Sequence, residues 1–446
     1  MRAEAFKTEL RELFRLAAPL AAAQAGTQLM GLVDVAVLGR LGARELAGAG
    51  LANAVYFAIS ILGMGMVLGV DPLLAQSVGA GDRVRARRVL WQGIWLAIVV
   101  SAVLTVLLLG GVAGIPLIGT KTELVAPARI YLLIRTVSLL PFLMFFVVRS
   151  YLQAHGKTRP MIVSMLIANV FNVVADIVLV FGIEGWIPAL GVAGAAIATV
   201  LCTILQLAIV ASAVRSIDAG GHVDHRADRA QMLAAARVGL PVALHMGAEV
   251  GIFALVALLA GRLGTLDLAA HQLVIGIASF TFTVALGVAA AGSVRVGLAI
   301  GARDESGTRM AGHVTFLGGA VVMGVSALAF ALAPAPIARL ITNQENVIAA
   351  AIPLMMVAAV FQLSDGIQAV GAGVLRGAAD TKYTFYANMV GHWLVGLPIA
   401  LWLGFSRGLG IVGLWWGLCA GLTVVAALLF VRFERLSRGA IAPVAH

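Results

Sequence analysis

Residues 31–42 read GLVDVAVLGRLG, and residues 261–264 read GRLG again. The first stretch sets one carboxylate, Asp34, inside an apolar run that extends from about Leu13 to Leu38. A helix needs roughly 20 mostly apolar residues to cross a bilayer, so this run is long enough to span. Continuous runs such as Leu104–Val112 and Leu422–Val431 do not alternate polar with apolar residues. They exclude the short alternating strands of a closed barrel and leave the helix as the spanning element.

The second GRLG marks a repeat, at an offset of 261 − 39 = 222. At the same offset Pro19 matches Pro241, Leu46-Ala47 matches Leu268-Ala269, and Gly79-Ala80 with Asp82 match Gly301-Ala302 with Asp304. Further on, LQAHGKT at 152–158 answers LRGAADT at 375–381, an offset of 375 − 152 = 223. Apolar runs near 13–38, 46–71, 89–114, 124–148, 159–182 and 189–214 fill the first half. Runs near 234–260, 268–299, 311–334, 347–374, 383–404 and 409–431 fill the second. The expected fold is therefore an all-α polytopic membrane protein of about twelve transmembrane helices in two six-helix bundles. An even number of spans per half gives the repeats one orientation, parallel about an axis along the membrane normal, an arrangement known among transporters. The expected division is 1–214, a polar linker at 215–232, and 233–446.

Composition agrees. The 446 residues are 61% hydrophobic and 12% charged, with mean hydropathy +1.01. Soluble domains run about 45–50% apolar and about 25% charged, so a water-facing surface cannot be built from this chain. Disorder, collagen-like repeats and a disulfide scaffold are excluded on the same grounds. Cys202 and Cys419 lie in apolar runs and read as packing residues. The 51 glycines suit close helix packing in lipid.

The net charge of +10 does not indicate nucleic acid, because the basic residues sit in gaps between spans and not on a helix face with aromatics. With the N-terminus inside, about 22 Lys and Arg fall on the cytoplasmic side and about seven on the other, which places both termini in the cytoplasm of an inner membrane. No cleavable signal peptide is read, since Arg2, Lys7, Arg11 and Arg15 precede a run too long for its core. His222, Asp224, His225 and Asp228 lie in the linker, where a metal site is the lesser reading.

Ionisable residues inside spans cost about 2.5–3.5 kcal/mol on insertion scales and are functional candidates by default. Asp34 lies in the first span and Asp176 in the fifth. Asn169 and Asn172 precede Asp176 at helical spacing, making one polar face. Glu249 lies in the seventh span with His245 one turn earlier, and Asp365 in the tenth between Gln362 and Gln368. The repeat mirrors none of the four acids: their counterparts are Val256, Ile399, Thr27 and Phe142. Packing symmetry therefore does not explain them. A carboxyl in a site of low dielectric can take up a proton. With amide, hydroxyl or backbone oxygens beside it, it can instead hold Na⁺, a hard cation. Either ion could compete with a cationic substrate, which is a workable antiport.

The stretches GLVDVAVLGRLG, GLP-x₇-E from residue 239, LAAHQ at 268–272, VRVGLAIGARD at 294–304 and SDGIQAVGAGVLRG at 364–377 together resemble the multidrug and toxic compound extrusion (MATE) family over nearly the whole chain. The resemblance implies two six-helix bundles forming a V-shaped cleft and export of cationic or amphiphilic compounds against inward H⁺ or Na⁺ by alternating access. It implies an ion or proton site at Asp34, Asn172 and Asp176, as in the DinF-like branch, and a cation site at Glu249 and Asp365, as in the NorM-like branch. Na⁺ could therefore sit at either set. Asp176 stands where many NorM-like members have Asn, and Phe361 where some sodium-coupled relatives have Tyr. Gln28, Gln272 and Gln368 are candidate substrate-cleft residues, and Pro19, Pro241 and Pro398 candidate kinks. His271 reads equally as packing or as cleft lining.

No cofactor, nucleic-acid partner or enzyme activity is expected, and the chain should work as a monomer among membrane lipids. No Walker A pattern, HExxH or GxSxG is present in the spans. A lipid-linked precursor flippase of the same superfamily is the alternative, which would want a basic cavity; Arg135 and Arg295 are the basic residues in or near span interiors. A polytopic membrane enzyme is the more distant one.

Overall fold

The computed structural model describes residues 2–118 and 121–444, and the regular elements among them are helices. In chain order these are α1 Arg2–Leu41, α2 Ala43–Val67, α3 Val70–Gly79, α4 Arg83–Gly114, α5 Thr122–Thr136, α6 Leu139–Ala154, α7 Arg159–Phe181 and α8 Val192–Val214. The second half adds α9 Arg229–Leu263, α10 Thr265–Gly301, α11 Glu305–Leu332, α12 Pro334–Arg339, α13 Glu345–Gly377, α14 Thr381–Asn388, α15 Leu397–Leu401 and α16 Gly410–Leu436. Among the described residues 11 helical stretches are long and apolar enough to cross a membrane, and α5 with α6, bent by 44° at their junction, brings the number to 12. Large apolar side chains such as Val106, Leu258 and Leu394 remain exposed on them, as a lipid-facing surface requires.

The repeat is visible in local detail. Asp82 and Asp304 are 222 residues apart (304 − 82 = 222) and cap α4 and α11 by accepting the backbone N–H of Arg85 and of Gly307, each at 2.8 Å. Before each cap the chain turns through a left-handed residue, Gly81 (φ 75°) in the first half and Arg303 (φ 57°) in the second. Gly156 (φ 67°) and Ala379 (φ 61°) form a second such pair. A residue with a Cβ pays about 1–2 kcal/mol for this conformation, so the second half keeps the turns without the glycines that ease them.

The chain forms two compact units, Met1–Ala21 with Leu244–Ala445, and Ala22–Ala243. The dividing points fall inside α1 and α9 at equivalent positions, 243 − 21 = 222. Close glycine contacts within each unit obey the same offset. A Cβ on Gly65 of α2 would lie 2.4 Å from the Cα of Ala243, and one on Gly287 of α10 would lie 2.7 Å from the backbone N of Ala21. Small residues let backbones approach this closely, which is how helices associate in lipid. The linker residues 215–228 belong to the second unit and are strapped to α4. Gln92 bonds Arg226 O and Asp228 N, both at 2.8 Å, and Trp95 Nε1 donates to His225 O at 2.8 Å.

Pro19 and Pro241 lie inside continuous helices, α1 and α9. Pro398 lies in α15, between two stretches of wide π-helical winding, Met389–Gly396 and Trp402–Ser406. Proline lacks an N–H and crowds the carbonyl four residues back, and a wider turn relieves both defects. The wide turns press on α16, where a Cβ on Gly421 would stand 2.8 Å from Gly391 O.

Candidate functional site: two buried acid clusters

In the unit Ala22–Ala243, α7 carries the polar stripe Asn169, Asn172 and Asp176 toward the second part of α1. Asn169 Nδ2 donates to Gly26 O at 3.1 Å, pinning the two helices two turns from the acids. Asn172 Nδ2 donates to Asp34 Oδ1 at 3.0 Å, and Thr199 Oγ1 of α8 lies 3.3 Å from Asp34 Oδ2. Asp176 is fully buried, and its charged neighbour is Asp34. Both carboxyl oxygens of Asp176 and Oδ1 of Asn172 are buried without a hydrogen-bond partner among the described residues. Buried oxygens left unsatisfied are costly. Two carboxyls that cannot donate to one another become a bonded pair once one proton is placed between them. A small monovalent cation among these oxygens would do the same. The donor set fits either ion, so the three residues expected from the sequence do come together.

Sequence reasoning missed Thr199 and Tyr131. Tyr131, buried on α5, hydrogen-bonds Thr199 and feels both Asp34 and Asp176. Neither interrupts an apolar pattern enough to stand out. Thr199 sits in a run of small residues whose hydroxyl is found bonding back to Ala195 O at 3.0 Å.

In the unit containing Leu244–Ala445, Glu249 and His245 lie one turn apart on α9, with His245 Nε2 at 3.5 Å from Glu249 Oε2. Gln368 of α13 hydrogen-bonds Glu249, and the charge of Asp365 interacts with that of Glu249. Asp365, Gln362 and Gln368 are buried. Gln362 Nε2 donates to Ser326 Oγ at 2.7 Å, while Oε1 of Gln362 and of Gln368 have no partner among the described residues. Carboxylates with spare amide oxygens suit a hard monovalent cation or a proton. Phe361 is part of an aromatic wall, its ring 5.2 Å from Trp415 and 6.1 Å from Phe253, so it adds no oxygen. Behind it His271 accepts from Trp415 Nε1 at 3.2 Å, which makes His271 a packing residue.

Asn388 and His392 were also missed. Both are buried, with side-chain nitrogens that have no partner among the described residues, and the His392 ring stands near Phe253 and His245. Their spacing of four is the signal that singled out Asn172 and Asp176, so they could have been found. Of the candidate substrate residues, Gln368 joins this cluster, while Gln28 and Gln272 are exposed on their own units.

No group of three or more His, Cys, Asp or Glu able to hold a metal occurs among the described residues. The linker side chains have other work. The His225 ring stacks on Trp91 at 4.3 Å, and Asp228 Oδ1 accepts the backbone N–H of Ala230 at 2.9 Å.

Compared with known proteins, the MatE family model matches residues 19–178 and 241–402. The chain is 36% identical over 437 residues to a probable multidrug resistance protein NorM of Pseudomonas putida, covering 96% of this chain and 94% of that one. It is 37% identical to a protein of the same description from Mesorhizobium japonicum, covering 98% and 96%. In fold it is similar to the eukaryotic MATE transporter AtDTX14, with TM-score 0.87, 21% identity and 98% and 99% coverage. It is equally similar to an outward-facing multidrug resistance MATE family transporter of the MOP superfamily, with TM-score 0.87, 20% identity and 96% of each chain. The twelve-span reading, the internal repeat and these matches along nearly the full length agree: the chain belongs to the MatE family of membrane transporters.

Proposed function

We propose that the protein exports cationic and amphiphilic compounds from the cytoplasm by alternating access, driven by H⁺ or Na⁺ entering in exchange. The observation that carries this reading is the pairing of Asp34 with Asp176, whose oxygens are buried and unpartnered while Asn172 and Thr199 hold Asp34 in place. A cation is needed there to satisfy the buried oxygens, and a cationic substrate can compete for the same negative charge. Glu249 with Asp365, flanked by Gln368, offers a second cation-responsive site in the other unit. The NorM relatives, described as probable multidrug resistance proteins, support efflux of drugs over a single metabolite. The exposed amides of Gln28 and Gln272 are candidate substrate contacts. The chain acts as a monomer in a bacterial inner membrane, with both termini in the cytoplasm.

A flippase for lipid-linked pyrophosphate is less well supported. One structural neighbour, a MOP superfamily transporter from Pyrococcus furiosus, is described as having reversed binding-pocket polarity that suggests a different function. Here the buried charges are chiefly acidic, and Arg295 is spent on Glu9 through Nε at 2.8 Å.

The test is efflux of a cationic dye from proteoliposomes, with Na⁺ and H⁺ gradients imposed one at a time. Efflux should accelerate with at least one gradient. Transport indifferent to both would sink the antiport.

A further inference from the structure

Asn388 ends α14 and His392 lies one turn on, in the wide winding that follows, and they are 0% and 1% exposed. Nδ2 and Oδ1 of Asn388, both ring nitrogens of His392 and Nε1 of the adjacent Trp393 are buried with no partner among the described residues. One His392 nitrogen is drawn toward the Asn388 carbonyl on its own helix, which still leaves the other over. Buried polar atoms left so are costly, and these crowd into one short stretch of a membrane span.

The surrounding helices show where a partner has room. Toward α16 the backbones touch: a Cβ on Gly391 would lie 2.7 Å from Gly421 O, and one on Gly396 3.0 Å from Gly417 O. Toward α9 side chains intervene. The Trp393 ring lies 3.5 Å from where a Cβ on Gly251 would be, and the His392 and Phe253 ring centroids are 6.5 Å apart. Glu249 stands one turn before Phe253, as Asn388 stands one turn before His392. The seventh and eleventh spans cross the membrane in the same direction. Stepping back one turn on each therefore brings Asn388 to the depth of Glu249.

The atoms themselves select the guest. The asparagine NH₂ and the indole N–H donate, the asparagine oxygen accepts, and a neutral imidazole does one of each. A cation needs acceptors and an anion needs donors, whereas water takes both and makes about three hydrogen bonds when buried. Wide winding and ordered water are also how membrane helices accommodate a proline, here Pro398.

We propose that Asn388, His392 and Trp393 form a buried water site between the eleventh span and α9, level with Glu249. Resting on the antiport reading, this water is the hydration partner of the cation taken up by Glu249 and Asp365. The site itself does not depend on that reading.

The test is hydroxyl-radical footprinting by X-ray radiolysis of the full-length wild type in detergent. Radicals born inside a membrane protein oxidise side chains that touch bound water and spare dry ones. His271 is the matched control, 2% exposed in the same unit and already bonded to Trp415 Nε1. His392 should be oxidised several-fold faster than His271, and equal rates overturn the proposal. His392→Phe keeps a ring in place and removes both nitrogens. Oxidation of Trp393 should then fall several-fold and the melting temperature should drop. Unchanged oxidation of Trp393 overturns the proposal. So does a higher melting temperature, because nitrogens that held no water are relieved by an apolar ring. The comparison of the two histidines is made on the wild type and decides the matter if His392→Phe does not fold. For the hydration role, His392→Phe should raise the driving-ion concentration for half-maximal efflux several-fold, and His392→Gln should recover it. An unchanged ion dependence overturns that role. Fast oxidation of His392 with efflux indifferent to both gradients would sink the antiport reading and leave the water site standing.

Discussion

Asn172 donates its amide N–H to Asp34 across 138 residues of sequence, at 3.0 Å, and so fixes the carboxylate deep in α1 against the one carboxylate of α7. The bond leaves Asp176 facing Asp34 with no donor of its own. An Asp176→Asn variant supplies that donor permanently and imitates the cation-loaded site. Gradient-driven efflux should be lost while the melting temperature stays within a few degrees of wild type. Dye efflux and thermal unfolding on one preparation check this. Full coupled efflux would make Asp176 structural.

Thr199 holds the other oxygen of Asp34 at 3.3 Å. Thr199→Val keeps the shape and removes the hydroxyl, so Asp34 loses a bond worth about 1 kcal/mol. The apparent affinity for the coupling cation should shift several-fold, and Thr199→Ser should recover it. The check is the concentration dependence of efflux on the driving ion.

Gly287 and Gly110 give opposite expectations for the same change. A Cβ at Gly287 meets the backbone N and Cβ of Ala21 at 2.7 and 2.8 Å, whereas one at Gly110 of α4 has nothing within 4 Å. Gly287→Ala should therefore cost about 1–3 kcal/mol through overpacking. Gly110→Ala should be neutral or gain up to about 1 kcal/mol in its helix. Unfolding in detergent, followed by tryptophan fluorescence, separates them. Equal stability of the two variants would contradict the close approach at Ala21.

Glu9 and Arg295 form a two-pronged ion pair whose side chains are 12% and 26% exposed. Glu9→Gln leaves the guanidinium half-buried with one neutral acceptor. The expected cost is about 1.5–3 kcal/mol, typical of a hydrogen bond to a charged group. Thermal melts of Glu9→Gln against Arg11→Gln, a change outside the pair, measure it.

Acid should loosen the polar edge of the second unit, where α6 ends and the linker lies, in two steps. Burial holds the His155 imidazole below its ordinary 6.5, while its Nδ1–H donates to Tyr151 O at 2.9 Å. The unfolded chain then takes the proton first, so this contribution is whole above about pH 6.5 and is lost as pH falls below it. The Gly220 backbone N–H, and after it Arg83, hold the Asp218 carboxyl below the ordinary aspartate value. That contribution is lost at lower pH and is small, because the group is exposed. Proteolytic nicking at 155–158 should rise below pH 6.5 and that at 215–228 only in stronger acid. His155→Gln should abolish the first step alone.

The spans, the repeat and the four acids within the spans were all legible, because each rests on a pattern in one dimension: run length, offset, or a charge where none is tolerated. The pairing of Asp34 with Asn172 was partly legible, since a polar stripe on an apolar helix must face something. What it faces is tertiary, and so Thr199 and Tyr131, whose hydroxyls fit an apolar helix unnoticed, escaped. Two features went unread. The bend between α5 and α6 falls where Pro141, in the first turn of α6, has no N–H to offer the Val137 carbonyl four residues back, a signal that run length does not register. The wide winding around His392 comes from relieving Pro398 against α16, and a proline alone predicts only a kink.

The dividing points at Ala21 and Ala243 carry a consequence for ancestry. Each unit is completed by the opening segment of the other half of the gene. A single-copy ancestor of half this length would have reached the same packing by lending its first segment to a twin, as an intertwined homodimer. Duplication and fusion would then have turned an exchange between two molecules into a covalent feature of one. The two halves, expressed as separate polypeptides cut within 215–232, should accordingly fold only when produced together.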